Sequence, residues 1–399
     1  MVVHFLFRQN RLLEKRMNIQ ISENCTVHEV RAWDMAAIRG FRLTRGSDFE
    51  PGAHGLALAK LASHVKGELE LQCSFAEPET AEEFEATLLS GAFGISLIRH
   101  AKQITFGPGH TPASEKLGGN LARFYRERGG LLGLGQNCSL ICVDPGHSLP
   151  PKLRAYARHE DRDFPLDRSG FHQLLSSMAQ LLGFHYFSSS STVSDLTSFV
   201  FECFVNSQEH GQSILNTNSV ERQGVRALMM DKVVIKSTTK HNSLSEEMQN
   251  YIARSSEAAG GKLGLGLVCM TVADQGDGIQ HTLPPDMPNE TPIQRFARAF
   301  TADVTRKPKG EIKRGRGLSN ALSAAHRMRA RIEIHSSGVH FVQDFSLEDS
   351  KYPQLDVAAI VEAPSTKGCG TVVSIWVPEF ESGLDQRELF DRKNLLPVA

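Results

Sequence analysis

The sequence has no paired cysteine pattern and no zinc-binding pattern. Its seven cysteines are an odd number spread from Cys25 to Cys369, and no two of them form a CxxC pair. Cys138 and Cys142 lie four residues apart, but no second cluster completes a tetrahedral site. We therefore expect reduced thiols inside a hydrophobic core and no disulfide framework.

The chain also has almost no net charge and no long apolar run. A formal net charge of -1 gives the chain no overall basic field, so there is no strong signal for nucleic-acid binding. The apolar run near the N-terminus is too short for a secretory core, and no later window approaches the length of a membrane span. We expect a cytoplasmic protein without membrane contact. The Walker pattern GxxxxGK[ST] is absent as well, which excludes that type of phosphate loop.

At 399 residues the chain is long enough for two main units, because a single core seldom grows past roughly 250–300 residues. Proline and glycine are concentrated in 144–153, and charges alternate densely in 158–168. These two stretches predict a domain boundary near residue 150. We expect a small α/β domain of unknown function at 1–150.

Three segments support the expectation of a small α/β domain at 1–150. Polar and apolar residues alternate over 68–75, which is typical of a strand, and leucine and phenylalanine recur at helical spacing over 113–128. The apolar stretch 138–143 indicates a buried strand. In chain order these segments predict a β-α-β arrangement.

The stretch FECFVNSQEHGQ, at 201–212, places an acid, an amide and a histidine at intervals of four residues. On a helix, Glu202, Asn206 and His210 therefore share one face, beside a stripe of apolar residues. A polar row next to a buried row is typical of a helix that lines a pocket. The alternative is an amphipathic helix whose polar residues are simply solvated.

A second polar motif follows the apolar strand at 266–274. Asp274 ends that strand, and Gly276 and Gly278 follow it one residue apart. Glycine lets the backbone turn sharply and lets a flat ligand lie close to the chain, so the motif predicts an acid at the floor of a pocket. A surface turn, or a calcium loop that includes Asp277, would have the same pattern.

A third motif places glycines before a helix. Gly315 and Gly317 directly precede a segment with inward-facing leucines, and the free N–H groups of such a helix end favour an anion. Cations crowd the same approach, namely Lys307, Lys309, Lys313, Arg314 and Arg316. The segment is therefore a candidate phosphate cradle.

Taken in order, the chain has Glu202-xxx-Asn206-xxx-His210-Gly211, Asp274-x-Gly276-x-Gly278, Gly315-Arg316-Gly317-Leu318 and Gly368-x-Gly370-Thr371. This series resembles the Bergerat-fold ATPases of the GHKL superfamily (gyrase, heat-shock chaperone, histidine kinase and mismatch-repair proteins), and in motif it is most similar to the anti-sigma-factor kinases. The resemblance covers about residues 165–380. It implies an α/β sandwich of helices on a mixed sheet at 151–385, followed by a C-terminal tail at 386–399. The chain departs from compact family members by an apparent insertion at 238–262 and by a substantial lid at 280–314.

The resemblance also implies ATP and Mg²⁺ as cofactors. Asn206 would offer its amide oxygen to Mg²⁺, Glu202 would orient or deprotonate the attacking water, and Asp274 would accept a hydrogen bond from the adenine amino group. Gly278 would let the base stack closely, Gly317 would bind phosphate, and Thr371 would lie near the adenine. The other expected cofactor-binding residues are His210, Gly211, Gly276, Ile279, Lys313, Arg314, Gly315, Arg316 and Leu318.

The expected function is that of a Mg²⁺-dependent ATP-binding protein that hydrolyses ATP slowly and uses lid closure to change how it engages a protein partner or a second copy of itself. Two alternatives remain open at this point. One is a protein serine or histidine kinase of the anti-sigma or sensor type, because transfer and hydrolysis differ mainly in the nucleophile that is positioned. The other is a nucleotide-sensing interaction module without turnover.

Overall fold

A computed structural model describes most of the chain. It covers residues 17–45, 48–63, 69–134, 136–144, 150–154, 168–184, 191–210, 224–234, 244–258, 266–301, 317–347 and 353–379. All seven cysteines lie in these ranges, and each is a buried free thiol, as expected from the sequence. Within this described part, no helix is both long enough and apolar enough to cross a membrane.

The first unit is built on a five-stranded sheet in the order β1-β2-β3-β4-β5. The first four strands are parallel, and the short β5 is antiparallel to β4. Helices connect the parallel strands, since parallel neighbours require crossover connections. The elements are β1 (Met17–Gln20), α1 (Val27–Ala32), β2 (Ile38–Leu43), α2 (Ala53–Lys60), β3 (Leu69–Cys73), α3 (Ala81–Glu85), α4 (Ala92–His100), β4 (Ala101–Phe106), β5 (Thr111–Pro112) and α5 (Glu115–Arg128).

Local sequence signals explain where these elements begin and end. Helix α1 starts with a capping box, in which Thr26 Oγ1 accepts from the N–H of Glu29 and the Glu29 carboxylate accepts from the N–H of Thr26. Helix α5 stops at Gly129, which adopts the left-handed conformation with a φ of 64°. The strand expected at 68–75 and the helix expected at 113–128 are both confirmed, within one to two residues at each end.

The larger sheet has eight strands in the order β12-β11-β10-β13-β9-β8-β7-β6. Every described pairing in it is antiparallel, so the mixed sheet expected for this part of the chain is not what its strands form. Its strands are β6 (Leu131–Leu134), β7 (Asn137–Asp144), β8 (Gly224–Val234), β9 (Gly266–Ala273), β10 (Arg331–Ser336), β11 (Val339–Asp344), β12 (Ile360–Glu362) and β13 (Thr371–Glu379).

The strand expected at 138–143 exists, but the β-α-β unit proposed for it is wrong. This strand is β7, and it pairs with β8 from Asn137 to Asp144 rather than with any strand of the first sheet. Hydrophobicity alone identifies a buried strand without identifying its neighbour. The boundary expected near residue 150 therefore falls between strands of one sheet, with β6 and β7 before it and β8 after it.

Helices cover one face of the larger sheet. They are α7 (Arg168–Leu181), α8 (Ser191–His210), α11 (Pro292–Ala299) and α12 (Gly317–Arg327), while the shorter α6 (Pro151–Arg154) and α10 (Ile279–Thr282) lie in the connections. The apolar stripe of α7, including Phe171 and Leu174, packs against Phe204 of α8 and strand residues such as Val268 in one core. Burial of one helix face against a sheet is the main stabilising contribution here.

The opposite face of the same sheet is covered by the first unit and by α9 (Glu246–Ala258). Ala227 and Ala273 of the sheet share a core with Phe41 and Phe93 of the first unit. Strand β9 is buried at all eight positions, because both of its faces are covered. The layered order is therefore helices, antiparallel sheet and first unit.

Residues 244–258 are the described part of the insertion expected at 238–262, and all of them except Leu244 and Ser245 belong to helix α9. Met248 and Tyr251 pack against Leu267, Cys269 and Trp376 of the sheet. The rest of that range, 238–243 and 259–262, lies outside the described residues. One face of the insertion is thus part of the fold itself.

Replacing Tyr251 by Phe tests how α9 is attached. The Tyr251 hydroxyl is buried and donates to the Trp376 carbonyl oxygen over 2.9 Å. We expect the Tyr251→Phe variant to lose about 1–2 kcal/mol of unfolding free energy in urea, with an unchanged m-value. Ser198→Ala is the matched control, because the Ser198 hydroxyl donates to Ser194 on an exposed helix face. Equal losses in both variants would contradict a buried anchor at Tyr251.

Candidate functional site

The end of strand β9 meets the start of strand β13 at Asp274 and Thr371. The N–H of Asp274 donates to the Thr371 carbonyl oxygen over 2.9 Å. In return, Asp274 Oδ1 accepts from the N–H of Thr371 over 3.3 Å and from the N–H of Gly276 over 2.8 Å. Two motifs that are 97 positions apart in the chain are therefore held together by one backbone hydrogen bond and by one that the Asp274 side chain accepts.

The Asp274 carboxyl is buried, with 6% of the residue exposed. Burial raises its pKa to about 6, although the hydrogen bonds from Gly276 and Thr371 oppose that rise. Oδ1 receives both of these bonds, and Oδ2 receives none from the described residues. A buried acid with a raised pKa and one oxygen available for another donor is typical of a functional site.

Gly370 allows this close approach. A Cβ atom at Gly370 would lie 1.8 Å from the Asp274 carbonyl oxygen, which no side chain can tolerate. The N–H of Gly370 donates to the Ala59 carbonyl oxygen of α2 over 3.0 Å. The glycine of the last motif is thus required by the contact between the two strand ends.

Gly278 also has a conformational role. Its φ of 97° is one that side chains other than glycine rarely adopt, and a Cβ atom there would lie 2.6 Å from Ser337 Cβ. The N–H of Ile279 then donates to Ser336 Oγ over 2.7 Å, which fixes the first turn of α10 to the end of β10. Ile279 itself packs against the margin of the larger core.

Gln275 is a residue of this loop that the sequence did not indicate. It is buried, its Oε1 accepts from the N–H of Val225 over 2.9 Å, and its Nε2 donates to the Leu58 carbonyl oxygen and to Ser96 Oγ. Leu58 and Ser96 belong to the first unit. The loop after β9 is therefore hydrogen-bonded to that unit, and no local pattern in the sequence could have identified partners so distant in the chain.

Helix α8 brings Glu202 and Asn206 to the start of α12. A Cβ atom at Gly317 would lie 3.1 Å from Glu202 Oε2 and 3.5 Å from Asn206 Nδ2. Both side chains therefore face the N-terminus of α12, as four-residue spacing on one helix requires. The shared face expected for these two residues is confirmed, and the adjacent Leu318 packs against the larger core.

Arg168, at the start of α7, is a second residue that the sequence did not indicate. Its Nη2 atom donates to Glu202 Oε1 over 2.5 Å, and its guanidinium carbon lies 5.9 Å from the centre of the Phe201 ring. The Glu202 side chain is 16% exposed, whereas that of Arg168 is 51% exposed. Glu202 is thus held beside a cation at the edge of the site.

Several expected site residues lie outside the described residues. These are Gly211, Lys313, Arg314, Gly315 and Arg316, together with the side chain of His210, the last residue of α8. The predictions made for them stay predictions. Of the lid expected at 280–314, the described part includes α11, which begins at Pro292 because Thr291 and Gln294 form a capping box.

Helix α11 packs against the larger sheet. Phe296 is fully buried, and its ring lies 6.1 Å from that of Phe341 in the sheet. Phe300 packs beside both rings. Because movement of α11 would expose these rings to solvent, the part of the expected lid that α11 forms is anchored in the larger core.

Comparison with known proteins adds no family assignment. No protein-family model matches the chain, and no curated protein or solved structure is significantly similar to it. The chemistry of the site therefore has to be judged from its own residues. Those residues are a buried carboxylate with an available oxygen at Asp274, glycines in close contact at 278 and 370, and an acid-amide pair facing a helix N-terminus at Gly317.

Proposed function

We propose that the chain is a Mg²⁺-dependent ATP-binding protein of the GHKL type that hydrolyses ATP slowly. The observation that carries the proposal is the buried Asp274 carboxylate, whose Oδ1 is hydrogen-bonded to Gly276 and Thr371. Its other oxygen suits a neutral N–H donor such as the adenine amino group, which would add a hydrogen bond to an ionised acceptor. The GHKL assignment rests on this geometry and on the motif order.

The second half of the proposed site would hold the phosphates. The N-terminus of α12 carries a partial positive charge, and Asn206 lies beside it. An amide oxygen is a suitable ligand for Mg²⁺, so Asn206 would be the residue that holds the ion. Bound Mg²⁺ would neutralise phosphate charge, and Glu202 would hold the attacking water and accept its proton. Arg168 would orient Glu202.

Binding of the phosphates and Mg²⁺ at this helix end requires space as well as hydrogen-bonding groups. Gly317 has no side chain, and a Cβ atom placed there would lie only 3.1 Å from Glu202 Oε2, so a larger residue at 317 would crowd the side chains proposed to act on the phosphates. The remaining proposed contacts, Gly315 and the cations near it, were argued from the sequence. Nucleotide-dependent engagement of a protein partner or of a second copy is part of the same proposal.

Calorimetric titration with ATP and ADP in the presence of Mg²⁺ tests binding. We expect Asp274→Asn to weaken nucleotide binding by about 10- to 150-fold, because an amide N–H would then face the adenine amino group and a charged hydrogen bond worth about 1.5–3 kcal/mol is lost. Asp277→Asn, in the same loop, is the control and should bind within about threefold of wild type. No binding by the wild-type chain would refute the proposal.

The same variant should be more stable than wild type at neutral pH. The folded-state pKa of Asp274, about 6, lies above its ordinary value of 3.8, so ionisation of the buried group opposes folding once the pH exceeds both. Asp274→Asn should therefore gain about 1–3 kcal/mol of unfolding free energy near pH 7.5 and almost nothing near pH 4. A gain that does not shrink as the pH falls would contradict the buried ionised carboxylate.

A further inference from the structure

A group of three metal-ligating side chains lies on the larger sheet, apart from the residues proposed for the nucleotide. Glu333 and His335 alternate along β10, and His340 lies directly opposite His335 on β11. Residues two apart on one strand, and directly paired residues on neighbouring antiparallel strands, project from the same face of a sheet. The pleat therefore brings these three side chains together.

The three side chains converge at one oxygen atom. His335 Nε2 lies 3.0 Å and His340 Nε2 lies 2.9 Å from Glu333 Oε1. One ligand atom from each residue can be chosen such that all three lie within 4.8 Å of one another. In a four-coordinate zinc site with bonds of about 2.0–2.1 Å, neighbouring ligand atoms are about 3.4 Å apart. Only small side-chain movements separate the observed arrangement from that geometry.

Arg31 of α1 is the nearest cation in this group. Its Nη2 atom donates to the same Glu333 Oε1 over 2.8 Å and lies 3.4 Å from His340 Nε2. Three nitrogen atoms thus surround one oxygen that has two lone pairs. Hydrogen bonding cannot use all three contacts fully, whereas two imidazole nitrogens and a carboxylate oxygen suit a single divalent ion.

His335 adds an independent observation. Its side chain is 5% exposed, and its Nδ1 atom is buried with no hydrogen-bond partner among the described residues. An unsatisfied buried nitrogen costs about 1–3 kcal/mol, so packing alone does not explain why a histidine lies here. The nitrogen that faces Glu333 is Nε2, so a metal ion bound there would leave Nδ1 as the N–H of the ring. Glu333 and His340 are each 16% exposed in their side chains, which leaves a path from solvent.

We propose that Glu333, His335 and His340 bind a divalent transition-metal ion, with Zn²⁺ the best match to two imidazoles and one carboxylate. Such a ligand set leaves a fourth position for water. The imidazole rings are 9° from parallel with centroids 4.3 Å apart, so metal binding turns at least one ring about its soft χ2 torsion. Arg31 competes with the metal ion for the carboxylate.

The proposed metal site lies at the contact between the first unit and the larger sheet. Arg31 belongs to the first unit, and the three ligands belong to the larger sheet. A metal ion that displaces Arg31 from Glu333 removes one ion pair between them. The site therefore makes the contact between the first unit and the sheet sensitive to metal, and it does so whether or not the chain binds nucleotide.

Titration of the full-length, chelator-treated protein with ZnCl₂ tests the proposal. We expect one equivalent to bind to wild type, and His340→Ala to weaken that binding by about 100-fold or more, since even an outer-shell change costs about 10- to 100-fold. Arg31→Ala should tighten binding by about tenfold, because a like charge beside the ion is removed. His110→Ala, at an exposed turn, is the control and should leave the affinity unchanged.

A second measurement uses CoCl₂, whose visible absorption separates four-coordinate protein sites from the six-coordinate aqueous ion. We expect intense bands in wild type and Arg31→Ala, and only the aqueous spectrum in His340→Ala. The milder His340→Gln variant and a thermal unfolding curve show whether loss of binding reflects loss of folding. Absent binding by wild type, unchanged affinity in a folded His340 variant, or weaker binding by Arg31→Ala would each overturn the proposal.

Discussion

Replacing Glu202 by Gln is expected to reduce ATP hydrolysis by about 10²- to 10⁴-fold while nucleotide affinity stays within about threefold of wild type. Glutamine keeps the shape of the side chain and its place facing Gly317, but it cannot accept a proton from water. The loss should therefore fall on kcat and leave binding almost unchanged. Phosphate release under saturating MgATP, combined with calorimetric Kd values, separates the two.

Asp195→Asn is the matched control for Glu202→Gln. Asp195 lies on the same helix, α8, and is paired with Arg327 at 2.6 Å on a partly exposed surface. Loss of this exposed pair should lower the free energy of unfolding by about 0–1 kcal/mol and leave the rate of ATP hydrolysis unchanged. If both variants lost hydrolysis equally, or if Glu202→Gln kept the wild-type rate, the role given to Glu202 would be wrong.

The same assay distinguishes the other two functions that the motifs allow. A wild-type chain that binds ATP but releases no phosphate would be a sensor module. Appearance of the γ-phosphoryl group on a co-purified protein, again without free phosphate, would indicate a kinase, because the nucleophile would then be a side chain. Each outcome leaves the Asp274 binding test unaffected.

Replacing Gly370 by Ala is expected to lower the free energy of unfolding by about 3–5 kcal/mol and to abolish nucleotide binding. The added Cβ atom would lie 1.8 Å from the carbonyl oxygen of Asp274 and 2.8 Å from Gln275 Cα. These are backbone atoms, so no rotamer change relieves the clash. The ends of β9 and β13 would have to separate, and the hydrogen bonds between Asp274 and Thr371 would break.

Gly118→Ala is a control variant that should change the free energy of unfolding in the opposite direction. Gly118 lies inside helix α5, and nothing lies within 4 Å of a Cβ atom placed there. Alanine at this position should therefore raise the free energy of unfolding by about 0.5–1 kcal/mol. Urea unfolding of both variants checks the pair. Equal stability of Gly370→Ala and wild type would refute the close contact on which the Asp274 site depends.

Periodicity predicted several elements well because those signals are local. The alternating segment became β3, the spaced leucines and phenylalanine became α5, and the apolar stretch at 138–143 became β7. The same reasoning placed Glu202 and Asn206 on one helix face, because a spacing of four residues determines that geometry before any tertiary contact forms. Burial of both faces of β9 is consistent with its continuous apolar sequence.

Pairing between distant segments could not be predicted in this way. An apolar strand such as β7 can pair with any strand edge of suitable length, and its partner β8 follows after a gap of about 80 residues. Arg168 and Gln275 were missed for a related reason, since their partners lie in other elements and leave no mark on the neighbouring sequence. The metal-ligating group on β10 and β11 likewise depends on register.

The sequence by itself determined which residue types occur at each candidate position and which of them share a helix face or follow a strand. Spacing and backbone preference act over a few residues, so those features needed no knowledge of the fold. Only the tertiary structure decided that Asp274 is buried against Thr371, that Gly317 faces Glu202, and that Arg31 meets Glu333. Burial, raised pKa and convergence arise from contacts between segments distant in the chain, and these contacts exist only once the sheet has assembled.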